Sequence, residues 1–263
     1  MSIASYSKFN IYKDQLFSLS ASLEDEVLLN EAFLLEKDEK KQLEIYYAPF
    51  EYVNEQAKVV IVGITPGLFQ MKQSYSTVIN ARDQLTNNEE ILRDVKNNSS
   101  FQGPMRKNLI TMLDELQLHK HLGLSSTNEL FSTASNLVQT TSLLPYPVFY
   151  KGKNYSGSTP NILKTELLKK YVIDYFATEL KSMDNPLIIP LGVNVSKVLN
   201  YLAEKNYIKS NSILNGFPHP SGSNGHRHRQ FSENKDSMIE RLEFYFHKSK
   251  SRRNSEFVNL PRI

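Results

Sequence analysis

The run of residues 58–64, Lys-Val-Val-Ile-Val-Gly-Ile, constrains the fold more than any other part of the chain. It carries four consecutive β-branched residues and is apolar on both faces, which is typical of a central parallel strand that helices cover on both sides. A second apolar run, 186–192, also stops at a glycine. The pattern predicts a third strand over 130–140 and a weaker fourth strand over 212–214.

Helical patterns separate these predicted strands. They cover 104–118, 162–181 and 195–206, and a last helix is predicted over 233–248. Strands that alternate with helices of this length indicate an α/β fold, a three-layer α/β/α sandwich around a mostly parallel four-stranded sheet. A chain of 263 residues suits one such domain with additions.

The composition excludes several classes of protein. The chain has no cysteine, so disulfides, thiolate zinc sites and a cysteine nucleophile are ruled out. No stretch approaches the roughly 18 apolar residues of a membrane span, and the first residues lack the order of a signal peptide. We therefore expect a cytoplasmic or otherwise intracellular protein without a membrane partner.

Charge is distributed unevenly along the chain. The net charge is +3, but residues 1–57 hold 5 Lys and Arg against 11 Asp and Glu, whereas the last sixteen residues hold 5 against 1. This asymmetry predicts an acidic helical N-terminal appendage over 1–50, an α/β domain over 51–247 and a basic tail over 248–263. The basic part could attract a polyanion, although an ordinary solvated surface explains the same charges equally well.

Three polar segments fall where predicted strands end, which is where open α/β sheets bind ligands. They are the turn Gly-Ile-Thr-Pro-Gly at 63–67, the pair Ser135 and Asn136, and the Pro-, Gly- and His-rich loop at 216–229. Each has a simpler explanation. The first is a common strand-exit turn, Asn136 can satisfy neighbouring backbone, and the loop can be a solvated basic surface.

Taken together, these segments resemble the uracil-DNA glycosylase superfamily. Residues 63–68, Gly-Ile-Thr-Pro-Gly-Leu, are similar to the first motif of its mismatch-specific branch, and His-Pro-Ser-Gly at 219–222 is similar to its closing motif. Between them, 100–109 resembles the segment of the pocket aromatic, 135–143 the strand of the base-reading Asn, and 187–199 a structural strand and helix. The matches occur in the expected order.

The resemblance implies a DNA glycosylase, which hydrolyses the N-glycosidic bond of a flipped-out base and leaves an abasic site. His219 and Thr65 are then the catalytic candidates, with His219 donating a hydrogen bond to the departing base. The residues that would bind the base are Asn136, Phe101, Gly67 and Ile64. Those that would bind DNA are Ser221, Gly222, Asn224, His226, Arg227 and Arg229. No metal or cofactor is implied. The expected partner is single- or double-stranded DNA, and we expect the protein to be a monomer.

Two positions depart from the superfamily pattern. Thr65 occupies the place where many relatives carry a water-activating Asp or Asn, so Glu51 or Asp83 would have to assist if a strong base is needed. Gly67 replaces the Tyr that collides with C5 substituents in strict uracil enzymes. The resemblance therefore allows a uracil-type base in DNA repair, or a C5-substituted pyrimidine such as glucosylated hydroxymethylcytosine in anti-phage defence.

Two other functions compete with this interpretation. One is a catalytically silent DNA-binding module of the same fold, since fold does not establish activity. His219 argues against it, because a pure binder needs no anion-stabilising histidine. The other is a metal-dependent nuclease that uses His226 and His228, which lack an acidic neighbour within their loop to complete a coordination sphere.

Overall fold

A computed structural model of the protein describes residues 3–84 and 86–258, with the backbone alone over 248–258. Within this part of the chain, seven strands form two separate sheets. The strands are β1 (Leu34–Asp38), β2 (Leu43–Tyr46), β3 (Val59–Gly63), β4 (Val138–Ser142), β5 (Val148–Tyr150), β6 (Lys153–Asn154) and β7 (Leu187–Pro190).

The central sheet is parallel and has the order β4-β3-β7. Every residue of β3 and of β7 is buried, which confirms the strands predicted over 58–64 and 186–192. Strands of this kind are buried on both faces because the helices that connect them pack on both sides of the sheet.

The helices of the described chain are α1 (Phe9–Ser18), α2 (Asp25–Leu28), α3 (Leu68–Asn80), α4 (Asn88–Ser99), α5 (Pro104–Glu115), α6 (Leu118–Leu122), α7 (Glu166–Tyr171), α8 (Ala177–Lys181), α9 (Val193–Glu204) and α10 (Arg227–Val258). A π-helical segment, Val172–Phe176, joins α7 to α8. Each helix predicted in the α/β region is present, with its ends shifted by several residues.

Alternate residues of β3 belong to two different hydrophobic cores. Val60 and Val62 pack in the core that contains buried residues of α3 and α9. Val59 and Ile61 pack in the core that contains buried residues of α5 and α10. Because successive side chains of a strand point to opposite faces, helices cover both faces of the central sheet.

The prediction of a fourth parallel strand is not confirmed. Near 212–214 the chain forms the 3₁₀ turn Ser210–Ser212, and Ile213 makes only an isolated parallel bridge to Ile188. The strand cannot extend further, because Asn215 is followed by Gly216 in the left-handed region at φ +94°. The chain therefore leaves the sheet after Leu214.

The strand predicted over 130–140 is correct only at its end. Residues Thr127–Phe131 and Ser135–Leu137 form 3₁₀ turns, and β4 begins at Val138. The intervening sequence Ser-Thr-Ala-Ser-Asn has no large apolar side chain to bury in a sheet. This difference of eight residues decides where Asn136 lies.

The second sheet is antiparallel, with the order β1-β2-β5-β6, and its strands β1 and β2 lie in the region predicted to be helical. Helical spacing of the apolar residues over 25–43 suggested helices there. Pairing of β2 with the distant β5 buries Leu43 and Ile45 completely, and this tertiary contact outweighs the local propensity.

The N-terminal region shares the core of the α/β region. Phe9, Leu16, Leu28 and Phe33 are buried in the same core as α3 and α9. The division at residues 50 and 51 stays a prediction. The backbone of α10 continues to Val258, past the predicted start of the tail, and residues 259–263 lie outside the described residues. No described helix combines the length and apolar character needed to cross a membrane.

Candidate functional site

The strands of the central sheet end side by side at one edge. Gly63 at the end of β3 pairs with Ser142 at the end of β4, and Val62 pairs with Pro190 of β7. The chain turns from β3 into α3 and from β7 into α9, so two helix N-termini lie at this edge. Unpaired N–H groups and the positive end of the helix dipole make such an edge suitable for an electron-rich ligand.

The turn at 63–67 is fixed by hydrogen bonds. The Thr65 hydroxyl donates to the Tyr146 carbonyl oxygen at 2.9 Å and accepts from the Val148 N–H at 3.1 Å. Its only hydrogen is therefore used within the protein, and one oxygen lone pair is left. Thr65 thus ties the turn to the segment that enters β5, and a substrate water would find an acceptor there.

Two side-chain amides complete the turn. The Gly67 N–H donates to Gln70 Oε1 at 2.6 Å, and the Leu68 N–H donates to Asn154 Oδ1 at 2.9 Å. A Cβ atom on Gly67 would lie 3.3 Å from Gln70 Oε1 and 3.4 Å from Asn154 Nδ2. Any side chain at position 67 would therefore point toward these two amides.

Ile64 lies beneath the segment that follows β6. A Cβ atom on Gly157 would be only 2.9 Å from Ile64 Cδ1, and Gly157 has φ +80°. Only glycine allows the backbone of this segment to lie so close to the Ile64 side chain. The covering segment is also held to α9, because Asn194 Nδ2 donates to Ser158 Oγ at 3.0 Å.

His219 is held against the end of β7. Gly192, at φ +95°, donates its N–H to the Phe217 carbonyl oxygen, and a Cβ atom on Gly192 would lie 3.1 Å from His219 Cβ. His219 Nδ1 accepts the Ser221 N–H at 3.3 Å, which leaves Nε2 to carry the ring hydrogen. Burial lowers the pKa of His219 below its usual value of 6.5, so the imidazole is neutral at pH 7.

The loop after His219 is anchored on both sides. Asn224 Nδ2 donates to the His219 carbonyl oxygen at 3.1 Å and to Gln230 Oε1 at 3.0 Å. Asn108 Nδ2, on α5, donates to the Pro220 carbonyl oxygen at 2.8 Å. These contacts to α5 and α10 fix the position of the imidazole.

The other predicted DNA-binding residues lie on this loop or at the start of α10. Gly222 and His226 are exposed, and Arg227 Nη1 donates to the Asn224 carbonyl oxygen at 3.3 Å. The Arg229 side chain is 71% exposed and forms an ion pair with Glu233 at 3.6 Å. The structure therefore brings these residues together with His219 and Ser221 at the surface.

Phe101 lies over the end of β3. Its Cε1 atom is 3.4 Å from the position of a Cβ on Gly63, and the residue is buried with φ +47°. With Pro66, Gln70 and Ser142 it lines a cavity of about 30 Å³, enough for a water molecule. A pyrimidine base is larger, so entry of a base here requires the Phe101 ring to move.

Asn136 does not lie at this edge, and the prediction that it converges with His219 is wrong. It precedes β4, so at least the length of that strand, about 13 Å, separates it from Ser142. Its side chain is exposed and its carbonyl oxygen accepts from Asn54 Nδ2 at 2.8 Å. The error follows from the strand boundary, because Asn136 lies at the amino end of the strand.

Polar residues that sequence analysis missed lie at this edge, where Asn136 was expected. The Ser142 hydroxyl oxygen is 3.4 Å from the position of a Cβ on Gly63, and Gln70 and Asn154 supply amides nearby. The Thr-Thr-Ser run that closes an apolar strand was the available signal for Ser142. Asn154 gives no local signal, because its role depends on the distant turn that it contacts.

The two carboxylates considered as substitutes for a catalytic base are placed elsewhere. Glu51 is buried and accepts from Ser7 Oγ at 2.6 Å, from the Lys8 N–H at 2.8 Å and from the Tyr146 hydroxyl at 2.5 Å. Burial raises the pKa of this carboxyl above its usual value. The Asp83 side chain is 91% exposed, in the turn after α3. Glu51 therefore joins α1 to the 146–148 segment.

Metal ligands do not gather in the described part of the chain. No group of three or more His, Asp or Glu side chains there is placed to hold a metal ion. His226 and His228 are both exposed. The nuclease interpretation therefore gains no support from their arrangement.

The fold and the polar site at the carboxyl edge of the parallel sheet can be compared with known proteins. No family model matches this chain. The chain belongs to the same family as the uncharacterized protein YoxB of Bacillus subtilis (strain 168), with 40% identity over 229 residues that cover 86% of this chain and 89% of YoxB. Among solved structures it is similar to Pedobacter heparinus SMUG2, with a TM-score of 0.37 and 14% identity over 76% of this chain and 77% of the other.

Proposed function

We propose that the protein is a DNA glycosylase that hydrolyses the N-glycosidic bond of a flipped-out pyrimidine and leaves an abasic site. The observation that carries this proposal is the imidazole of His219. It is neutral, its Nδ1 is occupied by the Ser221 N–H, and its Nε2–H is left as a donor beside the carboxyl edge of the sheet.

The chemistry explains the value of such a donor. When the bond between the sugar C1′ and the base nitrogen breaks, the bonding electrons leave with the base, and the sugar becomes an oxocarbenium ion. Water then adds its oxygen to C1′, and its proton completes the base. A half-buried donor stabilises the anion strongly, because few solvent dipoles compete with it.

In this proposal, most of the rate enhancement comes from stabilisation of the departing base anion. The Thr65 hydroxyl donates its hydrogen to the Tyr146 carbonyl oxygen, and a hydroxyl cannot act as a base near neutral pH. Glu51 is held by α1, and Asp83 is exposed. We therefore assign Thr65 the positioning of the turn and of a water molecule, and we assign no general base.

The proposed base pocket lies between the Phe101 ring and the turn at 63–67. Phe101 would stack on the base, and Ser142, Gln70 and Asn154 would bind its polar edge. Gly67 carries no side chain, and the Gln70 and Asn154 amides that lie where its Cβ would point would have to shift to admit a C5 substituent. The proposed substrates are accordingly uracil-type bases and C5-substituted pyrimidines, including glucosylated hydroxymethylcytosine, with the 221–229 segment contacting the DNA backbone.

The test is a base-release assay on DNA with a single modified base. Single- and double-stranded substrates would carry uracil, hypoxanthine, 5-hydroxymethylcytosine or its glucosylated form, and alkali would cleave the abasic products. We expect His219→Ala to lower the single-turnover rate roughly 100-fold or more, as for loss of an oxyanion-type donor, without weakening DNA binding. His247→Ala, an exposed histidine on α10, is the control and should keep full activity.

A catalytically silent DNA-binding module is the second candidate. The engaged Thr65 hydroxyl and the small volume beneath Phe101 favour it over an enzyme with an ordinary open pocket. If the protein binds DNA and releases none of the four bases, this second function replaces the first. Full activity of the His219→Ala variant would show that another group stabilises the departing base.

A further inference from the structure

A second cavity, with a volume of about 270 Å³, lies along the outer edge of β4. β4 is the first strand in the order β4-β3-β7, so no strand of the central sheet pairs with this edge. The walls are α4, the 130–136 segment and the start of α5. The residues proposed above to bind the base, Phe101, Ser142, Gln70 and Asn154, do not line this cavity.

One face of α4 supplies the polar lining. Arg93, Lys96, Asn97 and Ser100 line the cavity, and they follow one another at the i, i+3, i+4 and i+7 spacing of a single helix face. The opposite face of α4 carries Ile91, Leu92 and Val95, which are buried in the core. The helix therefore presents a second, polar face to the cavity, where Arg93 and Asn97 remain exposed to solvent.

Arg106 brings a third cation to the same cavity. Its Nη2 atom donates to the Ser100 carbonyl oxygen at 2.5 Å, and its guanidinium carbon lies 4.9 Å from the centroid of the Phe131 ring. Its Nε atom is buried and has no hydrogen-bond partner. A buried N–H without a partner is costly, and an anion in the cavity would satisfy it.

The charged side chains that line the cavity are all cationic. Among the described residues, Arg93, Lys96 and Arg106 line it and no Asp or Glu does. Burial lowers the pKa of Lys96, and the carboxylates of Glu179 and Glu51 oppose this shift. Glu179 also accepts from Gln139 Nε2 at 2.7 Å and from Thr141 Oγ1 at 3.1 Å. The two arginines have no carboxylate partner within the described chain.

We propose that this cavity binds the phosphate group of a nucleotide unit. Guanidinium groups recognise phosphate through several hydrogen bonds at once, and Arg93 and Arg106 would supply them, with Ser135 and Asn136 as additional polar contacts. Lys96 caps the Thr140 carbonyl oxygen at 2.9 Å and adds a buried positive charge. The site thus gives Asn136 a binding role that its distance from His219 excludes at the other edge.

The cavity also communicates with the proposed base pocket. Lys96, Ser100 and Thr140 line both the 270 Å³ cavity and the 30 Å³ cavity beneath Phe101. The phosphate can belong to a free nucleotide or to a DNA strand that runs along β4. The proposal does not rest on base excision, because phosphate binding is measured without any reaction.

The test compares three ligands on the full-length protein by calorimetry: inorganic phosphate, deoxycytidine monophosphate, and a five-nucleotide single strand. For each ligand that binds, we expect Arg93→Glu to lower the affinity about tenfold or more, because a charged hydrogen bond is replaced by repulsion. Arg93→Lys should recover part of the affinity. Lys107→Gln, an exposed lysine on α5 outside the cavity, should bind like the original protein.

The outcomes separate the two sources of phosphate. Tighter binding of the mononucleotide than of the strand indicates a free nucleotide, and the reverse indicates DNA. The proposal fails if none of the three ligands binds, or if Arg93→Glu and Lys107→Gln bind them equally well. Because Arg93 is exposed, its variants should fold normally, and thermal unfolding checks this. Excision activity measured on the same variants decides the proposed function independently.

Discussion

At the scale of single residues, the position of His219 depends on a neighbour with no side chain. Gly192 follows β7 at φ +95°, where L-residues are strained, and its Cα faces His219 at close range. Ser221 then fixes the ring through its N–H. The imidazole is therefore positioned by backbone contacts on both sides.

We predict that Gly192→Ala separates stability from activity. The left-handed backbone costs about 1–3 kcal/mol of unfolding free energy for a residue with a Cβ. The new methyl group would also lie 3.1 Å from His219 Cβ and push the ring away, so base release should fall about tenfold or more. Urea unfolding and single-turnover excision measure the two effects.

Gly123→Ala is the matched control for this prediction. Gly123 has φ +72°, and a Cβ there would meet nothing within 4 Å. It should lose less stability than Gly192→Ala, because its ψ of 29° lies in the αL region whereas that of Gly192 is 169°, and it should keep its activity. If both variants lose activity in parallel, the effect of Gly192 is on folding alone and not on the position of His219.

The residues differ in how far the sequence reveals them. His219 lies between two prolines and before Ser-Gly, a local pattern that survives any shift of strand boundaries. The interpretation of Asn136 depended on which end of a strand it occupied, and short polar side chains occur at both ends. Asn154 acts through a hydrogen bond to Leu68, 86 positions earlier in the chain, which no local pattern encodes.

At the scale of elements, β4 is an edge strand whose free carbonyl groups are covered by side chains. Asn54 Nδ2 donates to the Asn136 and Val138 carbonyl oxygens at 2.8 and 3.0 Å, and Lys96 Nζ donates to that of Thr140. Such caps satisfy the backbone and block pairing with another chain. They also define one wall of the proposed phosphate site.

We predict that Asn54→Ala destabilises the protein by about 1–3 kcal/mol, because the Val138 carbonyl of the edge strand and the Asn136 carbonyl just before it lose their donor. The residue is only 8% exposed, so water replaces the lost amide poorly. Urea unfolding measures the change. Asn98→Ala, on the exposed face of α4, should alter stability by less than about 0.5 kcal/mol. Equal stabilities for the two variants would contradict the capping role.

Elements buried on both faces could be predicted, and those that depend on distant partners could not. β3 and β7 are continuous apolar runs, which few other structures explain. β1 and β2 lie in a charged segment, and their pairing is specified by β5, more than a hundred residues later. The parallel sheet was therefore predictable in part, and the antiparallel sheet was not.

At the scale of the whole molecule, the N-terminal region is integral to one of the two cores. It contributes large buried side chains, and Tyr75 of α3 donates its hydroxyl to the Tyr47 carbonyl oxygen at 2.9 Å. Glu51 gathers donors from both sides of the predicted boundary, Ser7 and Tyr146. The acidic composition of residues 1–50 is therefore a property of the surface of this region, whereas its buried side chains belong to the shared core.

A truncated protein, residues 51–263, tests this directly. The truncation removes β1 and β2, which would expose β5. The core around α3 and α9 would also lose Phe9, Leu16 and Phe33. Large-to-small changes at single buried sites already cost about 2–5 kcal/mol, and total stability is usually about 5–15 kcal/mol. We expect the truncated chain to show no cooperative thermal unfolding transition by circular dichroism.

Point variants on α1 test the same prediction without deleting any part of the chain. Phe9 is 1% exposed and Ile11 is 73% exposed on the same helix. Phe9→Ala should lower the unfolding free energy by about 3–5 kcal/mol because it leaves a cavity in the core. Ile11→Ala removes a side chain that already contacts water and should change it by less than about 0.5 kcal/mol. If Phe9→Ala unfolds at the same urea concentration as Ile11→Ala, and residues 51–263 melt cooperatively, the N-terminal region is an appendage and the core is complete without it.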